Sequence, residues 1–289
     1  MNSLKEDSRR LERIEAIVSS AVNLLLGLLK VIVGYKFSIH VLIADGFHSF
    51  SDLGSSLIMY ISSVLASPPP DRDHPYGHGK ALVLGEYTMS LLLILIALEI
   101  AISAISNLLS AERISISGGK IGMAIALLSI AVKLVLSLLS LVLGKVANSN
   151  LLKLDGLHHM TDAISSVLAL IGIWGAQVGM SWLEPAMTLV IGAMIVKLGV
   201  ENLTSSLNIL MDKTDERLSE ALFELLNEEL RDSVDRVITR SYGETYVVEV
   251  RLKPELASIG NLRAKLETLR DEIKRRYPNI SSVYFTVLW

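Results

Sequence analysis

Residues 121–146 read IGMAIALLSIAVKLVLSLLSLVLGKV, an apolar run whose only charges are Lys133 and Lys145. A helix rises 1.5 Å per residue, so a run of this length outspans the roughly 30 Å hydrocarbon layer of a bilayer. Further stretches of the same kind lie on either side, at 14–33, 39–66, 82–109, 157–178 and 183–209. Charged residues, 20% of the chain, gather before Arg13, between Asp71 and Lys80, and after Asp212, and the mean hydropathy is +0.48. A soluble bundle would carry a polar stripe on every helix, which these stretches lack. Helices suit them because every backbone group pairs internally. The expected fold is an all-α six-helix transmembrane domain over 1–211, followed by a small α/β domain over 212–289.

The charged opening MNSLKEDSRRLERIEA precedes an apolar run too long for a signal-peptide core, so the first span is expected to be retained. Lys5, Arg9, Arg10 and Arg13 precede span one, Arg72 and Lys80 follow span two, and Lys145 and Lys153 follow span four. The opposite loops hold only Lys36, then Arg113 and Lys120, which by the positive-inside rule puts both termini in the cytoplasm. The chain has no cysteine, which excludes disulfides and thiolate ligands and leaves nitrogen and oxygen to hold any metal. A formal charge of −3 spread over both signs gives no nucleic-acid footprint, and without a GxxxxGK[ST] loop ATP is not expected as an energy source.

Two of the spans carry a repeat. ADGFHSFSDLGSS at 44–56 and LDGLHHMTDAISS at 154–166 match at Asp45/Asp155, Gly46/Gly156, His48/His158, Asp52/Asp162, Ser55/Ser165 and Ser56/Ser166. Helix packing accounts for the small residues but not for the charges. His48 and Asp52 share a helix face, as do His158 and Asp162, so two facing helices could offer two imidazoles and two carboxylates to one tetrahedral cation such as Zn²⁺. Intramembrane carboxylates are costly without partners, which argues for an ion path. Protons would compete with the metal for these ligands. Asp45 and Asp155 are accessory candidates, extending the route or bonding a ligand imidazole, with a helix-start role as the alternative for Asp155. His159 points away from His158, and His40 sits at the start of its span.

In the loop DRDHPYGHGK, Asp71, His74 and His78 could bind a second metal. Lys30 and Glu86 are expected to snorkel, whereas Glu99 and Lys133 lie deeper, where an interhelical pair would satisfy both. From Lys213 on, the composition becomes that of a soluble domain. TDERLSEALFELLNEELRDS is an amphipathic helix with Thr214 as N-cap. VDRVITRSYGETYVVEVRLK reads as two strands turning at Tyr242 and Gly243, with Tyr246, Val248 and Val250 on one face and Val247 and Glu249 on the other. A helix up to Pro278 and a last strand complete an α-β-β-α-β order.

The paired HxxxD motifs, together with HPYGHGKA, make the sequence resemble the cation diffusion facilitator family over essentially its whole length. That resemblance implies a proton-coupled divalent-metal exporter with six transmembrane helices, a ferredoxin-like cytoplasmic dimerisation domain and no organic cofactor. It implies a homodimer in a bacterial or archaeal inner membrane, with metal ions, protons and lipid as its partners. By similarity His48, Asp52, His158 and Asp162 are the transport site, and the histidine in both motifs resembles the zinc-selective members, with Cd²⁺ as a mimic and Fe²⁺ or Mn²⁺ as alternatives. Asp71, His74 and His78 match a loop site, and Lys80 and Asp212 match a pair near the dimer interface. Where family members carry metal ligands in the last domain, this chain has Val234, Arg251, Thr286 and Leu288, and the domain contains no histidine. A packed apolar dimer contact is expected there in place of a metal cluster, with carboxylates such as Asp235 or Glu244 as weak ligands at most. A hydrolytic zinc enzyme is disfavoured by the absence of HExxH and of an open coordination position. A metal-sensing membrane dimer would bind ions without moving them.

Overall fold

The computed structural model describes residues 2–66, 68, 70–109, 118–147, 149–230, 232–242, 245–254 and 262–287, without the side chains of 2–10, 13, 52–60, 63 and 151. Six long helices come first: α1 (Asn2–Phe37), α2 (His40–Ala66), α3 (Lys80–Leu109), α4 (Gly119–Val146), α5 (Asn150–Gln177) and α6 (Leu183–Leu210). Among the described residues, five segments are long and apolar enough to cross a membrane: Ile14–Phe37, Lys80–Leu109, Gly119–Val146, Leu152–Gln177 and Leu183–Leu210. The protein is thus an integral membrane protein built on a bundle of transmembrane helices. The chain divides into two compact units, one of residues 1–57 with 89–200, the other of 58–88 with 201–289.

In the first unit, Ile39, Leu42, Ala97, Ile173, Ile191 and Ile195 form a buried apolar core. Helices α4 and α5 approach closely because small residues line their seam. A Cβ on Gly144 would stand 2.9 Å from the Lys153 nitrogen, and one on Gly156 would stand 3.0 Å from the Leu141 nitrogen. The close approach lets Ser137 donate to the Gly156 carbonyl at 2.6 Å. Helix α5 begins at Asn150, earlier than the span at 157–178 suggests. Ser149 caps it by accepting from the Leu152 amide at 3.3 Å, and Leu152 is fully buried. The tight turn from α1 to α2 passes through Ser38 at φ 55.

The second unit contains α7 (Glu216–Glu229), β1 (Val234–Tyr242), β2 (Thr245–Leu252), α8 (Leu262–Arg276) and β3 (Ile280–Val287). The sheet has the order β1-β2-β3, with β1 and β2 antiparallel and β2 and β3 parallel. Leu222 and Leu226 of α7 and Leu269 and Ile273 of α8 share a core with Val237, Val248, Val250 and Val283 of the sheet. This α/β order matches the amphipathic periods of the sequence, although the expected turn residue Gly243 lies outside the described residues. Asp215, and not Thr214, caps α7: its side chain accepts from the Leu218 amide at 3.1 Å. Thr214 instead exchanges hydrogen bonds with Thr239, tying the helix entry to β1. Nor does β2 alternate cleanly, since Val247 is buried on the face opposite Val248. On that face Val247 lines a cavity together with Pro70, Pro75, Tyr76 and Leu82, and the Tyr76 ring lies 5.9 Å from that of Tyr242 and, edge-on, 6.4 Å from that of Tyr284.

Candidate metal centre

The two copies of the repeat lie on α2 and α5, both within the first unit. Three of the four expected ligands are described, and they converge. His48 Nε2 lies 3.7 Å and His158 Nε2 lies 3.8 Å from the same oxygen, Asp162 Oδ1. These separations are too long for hydrogen bonds. They approach the roughly 3.3–3.6 Å between two ligands that each sit about 2.0–2.2 Å from a tetrahedral ion. Both His48 ring nitrogens are buried without a hydrogen-bond partner among the described residues. Such orphaned nitrogens are rare in a protein interior and suit a cation between the three groups. The His158 side chain is 52% exposed, so the cluster is open on that side. Asp52 follows His48 by one turn of α2, but its side chain lies outside the described residues.

Two fully buried lysines complete the cluster, and neither behaves as expected. Lys30 does not snorkel. Its ammonium lies 2.8 Å from Asp45 Oδ2 and donates to Ser49 and Ser166. Asp45 also accepts from Ser165 at 2.6 Å and from Ser166 at 2.9 Å. Lys133 pairs not with Glu99 but with Asp162, its Nζ 2.8 Å from Oδ2. An uncompensated charge in hydrocarbon is expensive, so each lysine goes to the nearest carboxylate of the repeat. His159 also has a partner the spacing did not reveal. Its Nε2 is 3.3 Å from Glu15 Oε1, which accepts from Ser140 at 2.6 Å. His40 lies near Asn107, with 3.5 Å between Nδ1 and the amide nitrogen. Asp155 is half-buried on α5, one turn before His158 and His159.

In the second unit, Asp71, His74 and His78 offer ligand atoms that all lie within 4.8 Å of one another. The His74 amide donates to Asp71 Oδ1 at 2.6 Å, and the rings of His74 and His78 lie 4.4 Å apart. His78 Nε2 reaches Asp71 Oδ2 at 3.4 Å. That amide, with the two imidazoles alongside, holds the Asp71 carboxyl below the usual carboxylate range. The Pro75–Gly77 turn, with Gly77 at φ 86, folds the loop back so that the three groups meet. Lys80 pairs with Asp212 at 2.8 Å and lies 5.1 Å over the Tyr242 ring.

A bundle of apolar helices with histidine and carboxylate groups converging at its interior is the architecture of a membrane cation carrier. Comparison with known proteins agrees with that class. Residues 16–211 match the model of the cation efflux transmembrane domain. An uncharacterized transporter of Methanocaldococcus jannaschii is 34% identical over 92% of this chain and 93% of its own length. Manganese efflux system protein MneP of Bacillus subtilis is 26% identical over 98% of both chains. Metal tolerance protein C1 of Arabidopsis thaliana is 28% identical over 91% of this chain and 59% of its own length. The chain belongs to the cation diffusion facilitator family of metal transporters, and the members of that family are not enzymes.

Proposed function

We propose that this protein exports a divalent transition metal in exchange for protons, by alternating access through a site formed by His48, Asp52, His158 and Asp162. The observation that carries this reading is the convergence of two imidazole nitrogens on Asp162 Oδ1, with His48 buried and its ring nitrogens without a hydrogen-bond partner among the described residues. Deprotonated ligands take the ion on one side of the membrane, the helices rock, and protons displace it on the other. Asp45, its oxygens engaged by Lys30, Ser165 and Ser166, acts as a brace between α2 and α5 and not as a direct ligand. Asp155 lines the approach. Asp71, His74 and His78 hold a second ion in the loop, and Lys80 with Asp212 fastens that loop to the last domain. The full architecture in this reading has six spans, cytoplasmic termini and a ferredoxin-like domain that supports a homodimer, set in a bacterial or archaeal inner membrane.

The cargo belongs to the group Mn²⁺, Fe²⁺, Zn²⁺ and Cd²⁺. Imidazole donors favour zinc, yet the end-to-end Bacillus subtilis relative and a second one, MneS, are named as manganese efflux proteins. We therefore place manganese ahead of zinc. The test is ion flux into liposomes of purified protein under an imposed pH gradient, comparing the four ions for the native chain and for Asp52→Ala and Asp162→Ala. Flux driven by the gradient and lost in both variants supports the reading, and the ion ranking fixes the cargo. Native protein that binds these ions but moves none of them is a sensor, and the reading fails.

A further inference from the structure

The two oxygens of Asp162 face different groups. Oδ1 faces His48 and His158, whereas Oδ2 is held by Lys133 at 2.8 Å. Lys133 comes from a third helix, α4, and is fully buried. Its position is fixed from both sides. One turn before it, Ser129 lies 2.9 Å from Ser166 Oγ, and one turn after it, Ser137 donates to the Gly156 carbonyl at 2.6 Å. Helix α4 is thus fastened to α5 above and below the ammonium, which therefore cannot swing out to a membrane surface.

The geometry points to Lys133 as a positioning residue that limits how the cargo ion is held. By occupying Oδ2, it leaves Asp162 a single oxygen to offer and keeps the coordination number low. Its fixed positive charge, one carboxylate away from the cargo in a low-dielectric interior, also repels the dication. Both effects weaken the grip on the ion. A carrier needs that weakness, because an ion bound by two imidazoles and freely chelating carboxylates would leave slowly. Outer groups that orient a ligand commonly change metal affinity ten- to a hundredfold. Here the effect is toward release. A freed Oδ2 would add an oxygen donor, which benefits Mn²⁺, an ion suited to oxygen-rich octahedral sites, more than Zn²⁺.

This inference rests on the reading of Asp162 as a cargo ligand, and the experiment separates the two. Binding of Zn²⁺, Mn²⁺ and Co²⁺ to purified full-length protein is measured at one pH, with the Co²⁺ visible spectrum as a gauge of coordination and concentration-dependent flux in liposomes. The chains are native, Asp162→Ala, Lys133→Met and Lys133→Gln. Lys133→Met is expected to bind at least tenfold tighter, to lower both KM and maximal rate, to raise the Mn²⁺ to Zn²⁺ affinity ratio, and to weaken the Co²⁺ bands as the coordination number rises. Lys133→Gln keeps a donor on Oδ2 without the charge, so it should bind tighter while retaining the native spectrum. Affinity of Lys133→Met within twofold of native, or weaker, overturns the inference, as does an unchanged Co²⁺ spectrum. Should Lys133→Met not fold, Lys133→Gln tests the affinity, and a six-coordinate Co²⁺ spectrum in the native chain is by itself contrary to the inference. If Asp162→Ala binds as well as native, the ligand reading fails instead.

Discussion

The Lys30–Asp45 pair offers the sharpest test of how this bundle is held together. Both side chains are fully buried and 2.8 Å apart. At that distance Coulomb's law with an effective dielectric of about 20 gives roughly 6 kcal/mol of attraction. Most of this is cancelled by the several kcal/mol needed to strip each ion of water, so the net worth of the intact pair is small. Breaking it on one side is different. Lys30→Met leaves Asp45 with the hydroxyls of Ser165 and Ser166, and Asp45→Leu leaves the ammonium with those of Ser49 and Ser166. Each single change should cost about 3–5 kcal/mol, because an unpaired charge stays buried. The double variant carries no orphaned charge and should recover most of that loss. Equilibrium unfolding of the four chains in mixed micelles closes the cycle and yields the coupling energy. The effect should persist in high salt, since screening ions cannot enter the core. Single variants within about 1 kcal/mol of native, or a double variant costing the sum of the two, would refute the reasoning.

Three further outcomes are expected from other elements. Glu184, fully buried on α6, accepts from the Val41 amide in the first turn of α2 at 2.8 Å. Glu184→Ala should therefore cost about 1–3 kcal/mol while Glu184→Gln loses less, as read by the same unfolding assay. Lys80 and Asp212 are each about one-third exposed, so Lys80→Ala should cost no more than about 1 kcal/mol, an amount that shrinks as salt is added to a thermal melt. Burial, and then the neighbouring Asp215 carboxylate that accepts its hydroxyl at 3.3 Å, push the Tyr246 phenol above its ordinary value. The native state therefore holds this proton more tightly than the unfolded chain does. Its contribution to stability is complete below the unfolded tyrosine pKa and disappears as pH rises through the higher folded value. Asp215→Asn keeps the helix cap and should shift the Tyr246 titration downward, measured by ultraviolet absorbance against a Tyr246→Phe reference.

Much of this protein was legible in its sequence because the signals were local. An apolar run such as 121–146 announces a span through length alone, and the α-β-β-α-β order follows from hydrophobic periods of 3.6 and 2. The HxxxD spacing likewise placed His158 and Asp162 on one helical face, and the structure brings their side chains to 3.8 Å. Asp71, His74 and His78 were flagged by type and proximity, although their meeting depends on the turn at Gly77.

What the tertiary structure decided was which charge answers which. Lys30 and Lys133 are visible in the sequence as ions at membrane depth, but nothing local assigns Asp45 to one and Asp162 to the other. Those partners lie on different helices: the α4–α5 seam at Gly144 and Gly156 sets Lys133 beside Asp162, and the close approach of α1 to α2 at Gly46, where a Cβ would stand 3.2 Å from that of Lys30, sets Lys30 beside Asp45. The capping of α7 by Asp215 over Thr214 has the same origin, since the Thr214 hydroxyl is claimed by Thr239 on β1. Periodicity is a property of one segment and can be read from it. Desolvated charges find their partners across segments, and only packing brings those partners together.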